Sequence, residues 1–367
     1  MEVTRTLAKY LIASRHQDLP REIVHEATRA LLNWIGCAIG ASHHETVDNA
    51  VAALRPFFGP AQAQLIGRRE RVDALRAALI NGISSHVLDF DDTHARAVHV
   101  SAPVWPALLA YGEWRGATGK DLIHAFALGV ETEVRVGLSV FPEHYDQGYH
   151  ITGTAGVFGA AAAIGKLLNL NEDQMVWALG IAATQSAGLR EMFGSMCKSF
   201  LQLKREHHLR SGEIKHITLR VNPLVLELTG NKTPRDGLQG KFSVFHACAA
   251  ALVHDAALEA QFADEVVRDA VVIALRDKID ASADAAIRKL EAHVRIELSD
   301  GRVLAKHVEH ALGSTVRPMS DADLEHKFRG LVAGVIPDAQ AKALIDLCWR
   351  FPALLDAAQL PQAAAMS

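Results

Sequence analysis

The densest group of polar side chains lies between residues 86 and 101. Three aspartates fall within four positions, and histidines, a threonine and a serine surround them: Asp89, Asp91 and Asp92, with His86, Thr93, His94, His99 and Ser101. Three buried carboxylates at this spacing repel one another, so they need cations, hydrogen-bond donors or a metal ion nearby. Three interpretations remain open: a solvated acidic helix end, a divalent metal site with carboxylate ligands, and a metal-free acid/base pocket. If the segment is helical, Asp89 and Thr93 share one face.

A second polar group runs from His144 to His150 and leads into a segment rich in small residues. A histidine just before a helix N-terminus lies where an anionic substrate meets backbone N–H groups and the positive end of the helix dipole. His150 occupies that position. The GxxGxxG pattern that starts at Gly153 lacks the spacing of a dinucleotide fingerprint, and no strand precedes it, so helix packing is the better explanation.

A third group extends from Arg190 to Lys198 and includes Cys197. A single lysine is most often a solvated surface charge, and a single cysteine is more often a small buried residue than a nucleophile. The chain contains no GxSxG elbow, Walker loop or HExxH motif. Hydrolases of these types, nucleotide-binding proteins and zincins are therefore not the first choices.

The helices that must position these groups are predicted from local signals. Apolar residues recur at helical spacing after Pro20, and a capping pair predicts further helix starts at Thr118 and Asn171. The small residues from Gly156 to Gly165 let helix axes approach closely, which favours a central, buried helix. Nearly everything from Pro20 to about Leu201 is predicted to be helical.

The pattern changes after about residue 210. Residues 216–221 alternate as in a strand, and a second alternating run reaches Leu298, followed by Asp300-Gly301 and a further strand from Val303. An Asp-Gly pair between alternating runs is a strong hairpin signal. Ser320 and Asp323 form an acidic capping box that opens a final helical stretch, and the Ala-rich segment 357–367 is expected to fray.

Composition narrows the class of protein. The chain has 367 residues, 49% of them hydrophobic, and 38 Lys and Arg against 42 Asp and Glu, for a net charge of −4. This balance argues against a nucleic-acid partner. Four widely spaced cysteines favour a reducing compartment, and no signal peptide or apolar run long enough for a bilayer is found. We therefore expect a cytoplasmic protein without a membrane partner.

The three polar groups, in this order and spacing, resemble the MmgE/PrpD family. The similar stretches cover almost the whole chain: Asn81–His94, His99 with Ser101, His150–Thr154, Gly194–Lys198, Lys241–His246, Ser299–Gly301 and Pro318–Phe328. The resemblance implies a mainly α fold, with a large helical domain from residues 1–205 and 318–367 and a smaller α+β lid domain from residues 206–317. It also implies a homodimer, since many members of the family form one. The reactions it implies act on small di- and tricarboxylates and use no metal or organic cofactor.

The resemblance also assigns site residues. The family's pocket positions fall on Asp89, Thr93, His99, His150 and Lys198, and we add Tyr149, next to His150, as an expected substrate contact. His99 and Lys198 are expected to pair with substrate carboxylates, and His150 to act as general base or acid. Asp89 is expected to orient a cationic partner, and Thr93 to hydrogen-bond the substrate.

Three positions depart from the family pattern. Val100 replaces the usual proline of a His-Pro-Ser triplet, and Phe245 stands where a lid tyrosine is common. The family's first half of the lid, with a second lysine, is missing after Phe200, where Leu201 leads directly into a later lid segment. Either the chain carries a natural deletion there or the numbered sequence omits a segment.

These features support one leading hypothesis and two alternatives. The leading hypothesis is a metal-independent lyase or epimerase that abstracts a proton α to a carboxylate of a small di- or tricarboxylate. The first alternative is a catalytically impaired family member that acts as a binding or structural dimer, because part of the lid is missing. The second, a metal-dependent hydrolase, is distinguished by stoichiometric metal in the purified protein.

Overall fold

A computed structural model of the protein describes residues 2–94, 99–188, 211–256, 258–289, 291–310 and 313–366. The chain divides into two compact units, one of Met1–Glu191 with Leu324–Ser367 and one of Met192–Asp323. The predicted boundaries, 205/206 and 317/318, fall close to this division. The first of them lies outside the described residues, and the domain boundaries stay a prediction.

The larger unit is built mainly from helices. Its first part contains α1 Glu2–Ala13, α2 Arg21–Gly40, α3 Glu45–Leu54, α4 Ala74–His86, α5 Trp105–Arg115, α6 Gly119–Val140, α7 Glu143–Asp146, α8 Ile151–Leu167 and α9 Glu172–Ala183. Two short strands, β1 Ala63–Gln64 and β2 Arg71–Val72, form an antiparallel ladder that the sequence did not indicate. The described residues contain no helix that is both long enough and apolar enough to cross a membrane.

The smaller unit combines short helices with a four-stranded sheet. Its elements are β3 Ile214–Val221, α10 Pro223–Thr229, α11 Gly237–Lys241, α12 Val244–His254, α13 Asp264–Val267, α14 Ala270–Arg276, β4 Ile279–Ala283, β5 Ala292–Leu298 and β6 Val303–Val308. The strand order is β4-β3-β5-β6, with β3 and β4 parallel and the other pairs antiparallel. The mainly α fold with a smaller α+β part is thus confirmed.

The remaining helices are α15 Asp321–Val332, α16 Asp338–Arg350 and α17 Gln359–Ala363. Ser320 and Asp323 form the predicted capping pair before α15, since the Asp323 N–H donates to Ser320 Oγ at 3.1 Å. The expectation of a frayed tail was wrong. Ala364 is fully buried and its carbonyl accepts from Gly67 N–H at 3.0 Å, because small side chains allow this segment to pack closely on the core.

The core of the larger unit centres on α2, whose last three turns are almost completely buried. Large side chains from distant parts of the sequence fill this core, including Trp34, Trp105, Phe328 and Phe351. Helices α6 and α8 approach closely, as the small residues predicted: a Cβ built on Gly129 would lie 2.8 Å from the Gly159 carbonyl oxygen. This packing fixes the start of α8, which carries His150.

The local signals of the smaller unit are also confirmed. Ile217, Leu219 and Val221 are buried on one face of β3. At the Asp300-Gly301 turn, Gly301 has φ 89°, a left-handed conformation that favours glycine. Phe245 is buried on α12 in the core of this unit.

Candidate functional site

The aspartate-rich segment begins where α4 ends. The helix stops at His86, and Asp89 takes a left-handed backbone conformation with φ 48°, which aspartate tolerates better than most residues. The helical interpretation of this segment was therefore wrong, and Asp89 and Thr93 do not share a helix face. The turn instead directs Asp91 inward and leaves Thr93 exposed.

The carboxylate of Asp91 is fully buried beneath two imidazoles. Its Oδ1 lies 2.9 Å from His86 Nδ1, in a hydrogen bond, and 3.1 Å from His99 Nδ1, in an ion contact that lacks hydrogen-bond alignment. His99 Nε2 also lies 3.5 Å from Asp89 Oδ1. The His99 ring is thus placed between two carboxylates, and the orienting role of Asp89 stays a prediction.

These contacts set opposite charges on Asp91 and His86. Burial alone would raise the pKa of Asp91, but the positive charges of His99 and His86 outweigh it and hold the pKa well below its usual range. Burial would lower the pKa of His86, but the hydrogen bond and charge of Asp91, helped by Asp89, leave that pKa raised. The pair therefore favours an ionised carboxylate beneath a protonated imidazole.

His150 completes a group of three imidazoles. It is the N-cap residue of α8, and its ring centroid lies 6.1 Å from those of His86 and His99, which are themselves 4.5 Å apart. Burial, and then the positive charges of His99 and His86, lower the pKa of His150 to about 4. His150 is therefore neutral at neutral pH, with a lone pair that can accept a proton.

Backbone contacts hold this group together. The His99 N–H donates to Thr152 Oγ1 at 3.0 Å, and the His150 N–H donates to the Gly188 carbonyl at 3.2 Å. A Cβ on Gly153 would lie 2.5 Å from the Ala187 carbonyl oxygen, so glycine is needed for this approach. These contacts join residues on both sides of the imidazoles to the first turn of α8.

Two further carboxyl groups, those of Asp92 and Glu133, are buried and interact with each other's charge or with that of Asp91. Asp92 Oδ2 accepts a hydrogen bond from Ser101 at 2.8 Å, and burial followed by the Asp91 charge raises the pKa of Asp92 to about 6. Burial, and then Asp92, raises the pKa of Glu133 well above its ordinary value. Neither Glu133 oxygen has a hydrogen-bond partner among the described residues. The raised pKa values limit the repulsion between these groups, because a protonated Glu133 carries no charge and Asp92 ionises only as pH rises through about 6.

Two family models match the sequence of this chain. The MmgE/PrpD N-terminal domain matches residues 5–204, and the MmgE/PrpD C-terminal domain matches residues 194–350. The chain belongs to the MmgE/PrpD family. The resemblance drawn from its motifs is therefore confirmed.

Three curated relatives of this chain have cis-aconitate decarboxylase in their names. The chain is 31% identical to a cis-aconitate decarboxylase-like protein of Aspergillus oryzae over 51% of its length, and 31% identical to cis-aconitate decarboxylase of Aspergillus terreus over 49%. It is 27% identical to the Homo sapiens cis-aconitate decarboxylase over 67%. These matches cover 41%, 39% and 50% of the relatives, so the chain spans about half of their length or less.

Of the family pocket positions, Asp89, His99 and His150 lie together. Thr93 is exposed, and Tyr149 is 41% exposed with its ring stacked on His144 at 4.5 Å. Lys198, together with Cys197 and the junction after Phe200, lies outside the described residues. The assignments of Thr93, Tyr149 and Lys198 to substrate binding stay predictions.

The sequence analysis gave no role to four residues of this MmgE/PrpD site. It named His86 and Asp91 only as parts of a polar cluster, and it did not consider Glu133, a glutamate on a largely apolar face of α6. It also missed Lys327 of α15, whose Nζ donates to Asn33 Oδ1 at 2.8 Å and to the Phe90 carbonyl. A charged residue inside an apolar helical pattern was the available signal for Glu133.

The imidazoles and carboxylates also have the composition of a metal site. Ligand atoms of His86, His99 and His150 lie within 4.8 Å of one another, and so do those of His86, Asp89, Asp91 and His99. Imidazole with carboxylate suits a transition-metal ion such as Zn²⁺. The expectation of a metal-free site stays a prediction.

Proposed function

We propose that the protein is a lyase or epimerase that acts on a small di- or tricarboxylate by moving a proton α to a carboxylate. The observation that carries this proposal is the position of a neutral His150 beside two imidazoles that share an ionised Asp91. The cluster therefore offers a proton acceptor and adjacent cationic groups within one small region, which is what the reaction requires.

His150 is the proposed base. Its lowered pKa keeps the ring neutral at physiological pH, so a lone pair is available to accept a proton from carbon. As the N-cap residue of α8, it lies where the positive end of a helix dipole favours an anionic ligand. A substrate carboxylate at this helix start would bring its α-carbon to the His150 ring.

His86 and His99 are the proposed cationic groups. Removal of an α-proton places negative charge on the adjacent carboxylate, in an enolate-like state that cations stabilise. Asp91 favours protonation of His86 and fixes its ring, and Asp89 lies against His99. Lys198 is expected to add a further positive charge to the substrate carboxylates.

The names of the curated relatives suggest the first substrates to test. In a decarboxylation of the cis-aconitate type, a carbon–carbon bond breaks, carbon dioxide leaves, and the electron pair stays on the carbon skeleton. An acid must then return a proton to that carbon. The same imidazole cluster could supply the proton in a decarboxylation or remove one in a dehydration or epimerisation.

We propose that the reaction needs no metal ion. Asp91 favours protonation of His86, and this imidazole supplies the positive charge beside His150 without an ion. The homodimer and the cytoplasmic location expected from the sequence stay predictions.

Hydrogen exchange from carbon in deuterated solvent tests the proposal. The full chain, treated with a chelator, is incubated with cis-aconitate and a panel of other di- and tricarboxylates, and deuterium incorporation and product formation are followed by NMR. We expect exchange or turnover with at least one acid. Absence of both across the panel would contradict the enzyme proposal and favour a catalytically impaired, ligand-binding member. Activity that appears only on metal addition would contradict metal independence.

A further inference from the structure

Two histidines lie side by side on the sheet of the smaller unit. His293 of β5 pairs directly with His307 of β6 in the antiparallel register. Their rings stack with centroids 4.2 Å apart and an interplanar angle of 7°. The side chains are 39% and 42% exposed, so solvent reaches both rings. The pairing of the strands thus holds two imidazoles at an accessible surface.

Glu291, the residue just before β5, brings a carboxylate to the same place. Its Oε1 lies 2.7 Å from His307 Nε2 and 3.5 Å from His293 Nε2. Its Oε2 accepts hydrogen bonds from the Arg288 side chain at 2.9 Å and from the Arg288 backbone N–H at 3.3 Å. Arg288 therefore fixes one carboxylate oxygen and leaves the other directed at the two histidines.

We propose that Glu291, His293 and His307 bind a divalent transition-metal ion of the Zn²⁺ class. The three ligand atoms lie within 4.8 Å of one another. In a tetrahedral zinc site with metal–ligand distances of about 2.0–2.2 Å, ligand atoms are roughly 3.4 Å apart. The separation of 3.5 Å between Glu291 Oε1 and His293 Nε2 already fits. For both lone pairs to meet one ion, the parallel rings must rotate out of their stack, and His307 must give up its hydrogen bond to Glu291.

The chemistry of these residues favours that class of metal over others. Two neutral imidazoles with one carboxylate suit Zn²⁺, Ni²⁺ or Cu²⁺, whereas Mg²⁺ and Ca²⁺ prefer oxygen ligands. Arg288 acts as the partner that orients a ligating carboxylate, as groups behind metal ligands commonly do. The exposed rings leave a fourth position open to water or to a further ligand.

This site shares no residue with the imidazole cluster around Asp91. Its three ligands and Arg288 all come from one short stretch of the smaller unit, residues 288–307. Binding of metal here is therefore separate from the proposed reaction, and either proposal can fail without the other.

Zinc titration of the full chain tests the site. Wild type, His307→Ala and Glu291→Gln are stripped of metal and titrated against a chromophoric chelator. His216→Ala is the matched control, since His216 is a partly exposed histidine on β3 of the same sheet. Circular dichroism verifies the fold of each variant. Any zinc that binds around His86, His99 and His150 is common to all four proteins and cancels in the comparison.

We expect wild type and His216→Ala to bind one more zinc ion than His307→Ala and Glu291→Gln do. In the latter two, the affinity of this site should fall by about 10- to 100-fold or more. Equal stoichiometry and affinity in all four proteins would overturn the proposal. A loss in His216→Ala of the same size as in His307→Ala would also overturn it.

Discussion

His86 Nδ1 lies 2.9 Å from Asp91 Oδ1, and the carboxylate in this pair is fully buried. A buried charge is stable only with a partner, and here the partner is an imidazole that itself lies next to the other two histidines of the site. The relationship links stability to function, because His86, which together with His99 keeps Asp91 ionised, also places positive charge beside His150.

Asp91→Asn should destabilise the protein. The substitution removes the charge that raises the pKa of His86 and weakens a buried, charge-assisted hydrogen bond, which contributes about 1.5–3 kcal/mol. The free energy of unfolding, measured by urea denaturation at neutral pH, should fall by roughly that amount. Asp89→Asn is the control, since Asp89 is less buried and its contact with His99 is 3.5 Å long. An equal loss of unfolding free energy in the two variants would contradict a stabilising contribution of the His86–Asp91 pair.

Asp92→Asn should change how stability depends on pH. The pKa of Asp92 is about 6 in the folded protein against an ordinary value of 3.8. The folded state therefore holds the proton more tightly, and this contribution to stability is present below about pH 4 and lost as pH rises through about 6. Asparagine cannot ionise, so the variant should lack this loss. Unfolding free energies measured from pH 4 to pH 7.5 in both proteins check the prediction, and parallel curves would contradict it.

His150→Gln should affect the same pH range with the opposite sign. The folded pKa of His150 is about 4 and its ordinary value is 6.5. The unfolded chain therefore binds the proton more readily, and wild type should lose stability through this group as pH falls from about 6.5 to about 4. The variant should lose less over that interval. If wild type and His150→Gln have the same difference in unfolding free energy between pH 7 and pH 5, the lowered pKa of His150 is wrong.

Gly159→Ala should destabilise the contact between α6 and α8. The added methyl group would lie 2.7 Å from Glu133 Oε2 and 2.9 Å from the Gly129 carbonyl oxygen. Such overpacking costs about 1–3 kcal/mol. Gly180→Ala on α9 is the matched control, because no atom lies within 4 Å of the new methyl there, and it should stabilise by about 0.5–1 kcal/mol. Thermal unfolding of both variants measures the difference, and a stable Gly159→Ala protein would disprove close packing.

Elements with local chemical signals were predicted well from the sequence. The capping pair at Asn171 and Gln174, the Asp300-Gly301 turn and the alternating residues of β3 each act over a few positions. The family motifs singled out Asp89, His99 and His150 by residue type and order, and the fold brings these three side chains together.

Features that depend on distant contacts were not predictable. The burial of Asp91 follows from the left-handed turn at Asp89, which no residue pattern specified. Glu133 reaches the site only because α6 packs on α8. The tail around Ala364 becomes ordered because Gly67 binds its carbonyl from almost 300 positions earlier in the chain. In each case a tertiary contact outweighs the local preference.

The central claim, that His150 exchanges a proton with the substrate carbon, is tested most directly by comparing two histidine variants. With an acid that exchanges deuterium in the presence of wild type, the initial rate is measured for His150→Gln and His144→Gln. His144 is the control, because it lies in α7, a few residues before α8, and bonds to Thr154 and stacks on Tyr149. We predict a loss of about 10²- to 10⁴-fold for His150→Gln and little change for His144→Gln. A His150→Gln protein that exchanges deuterium at the wild-type rate would contradict the claim.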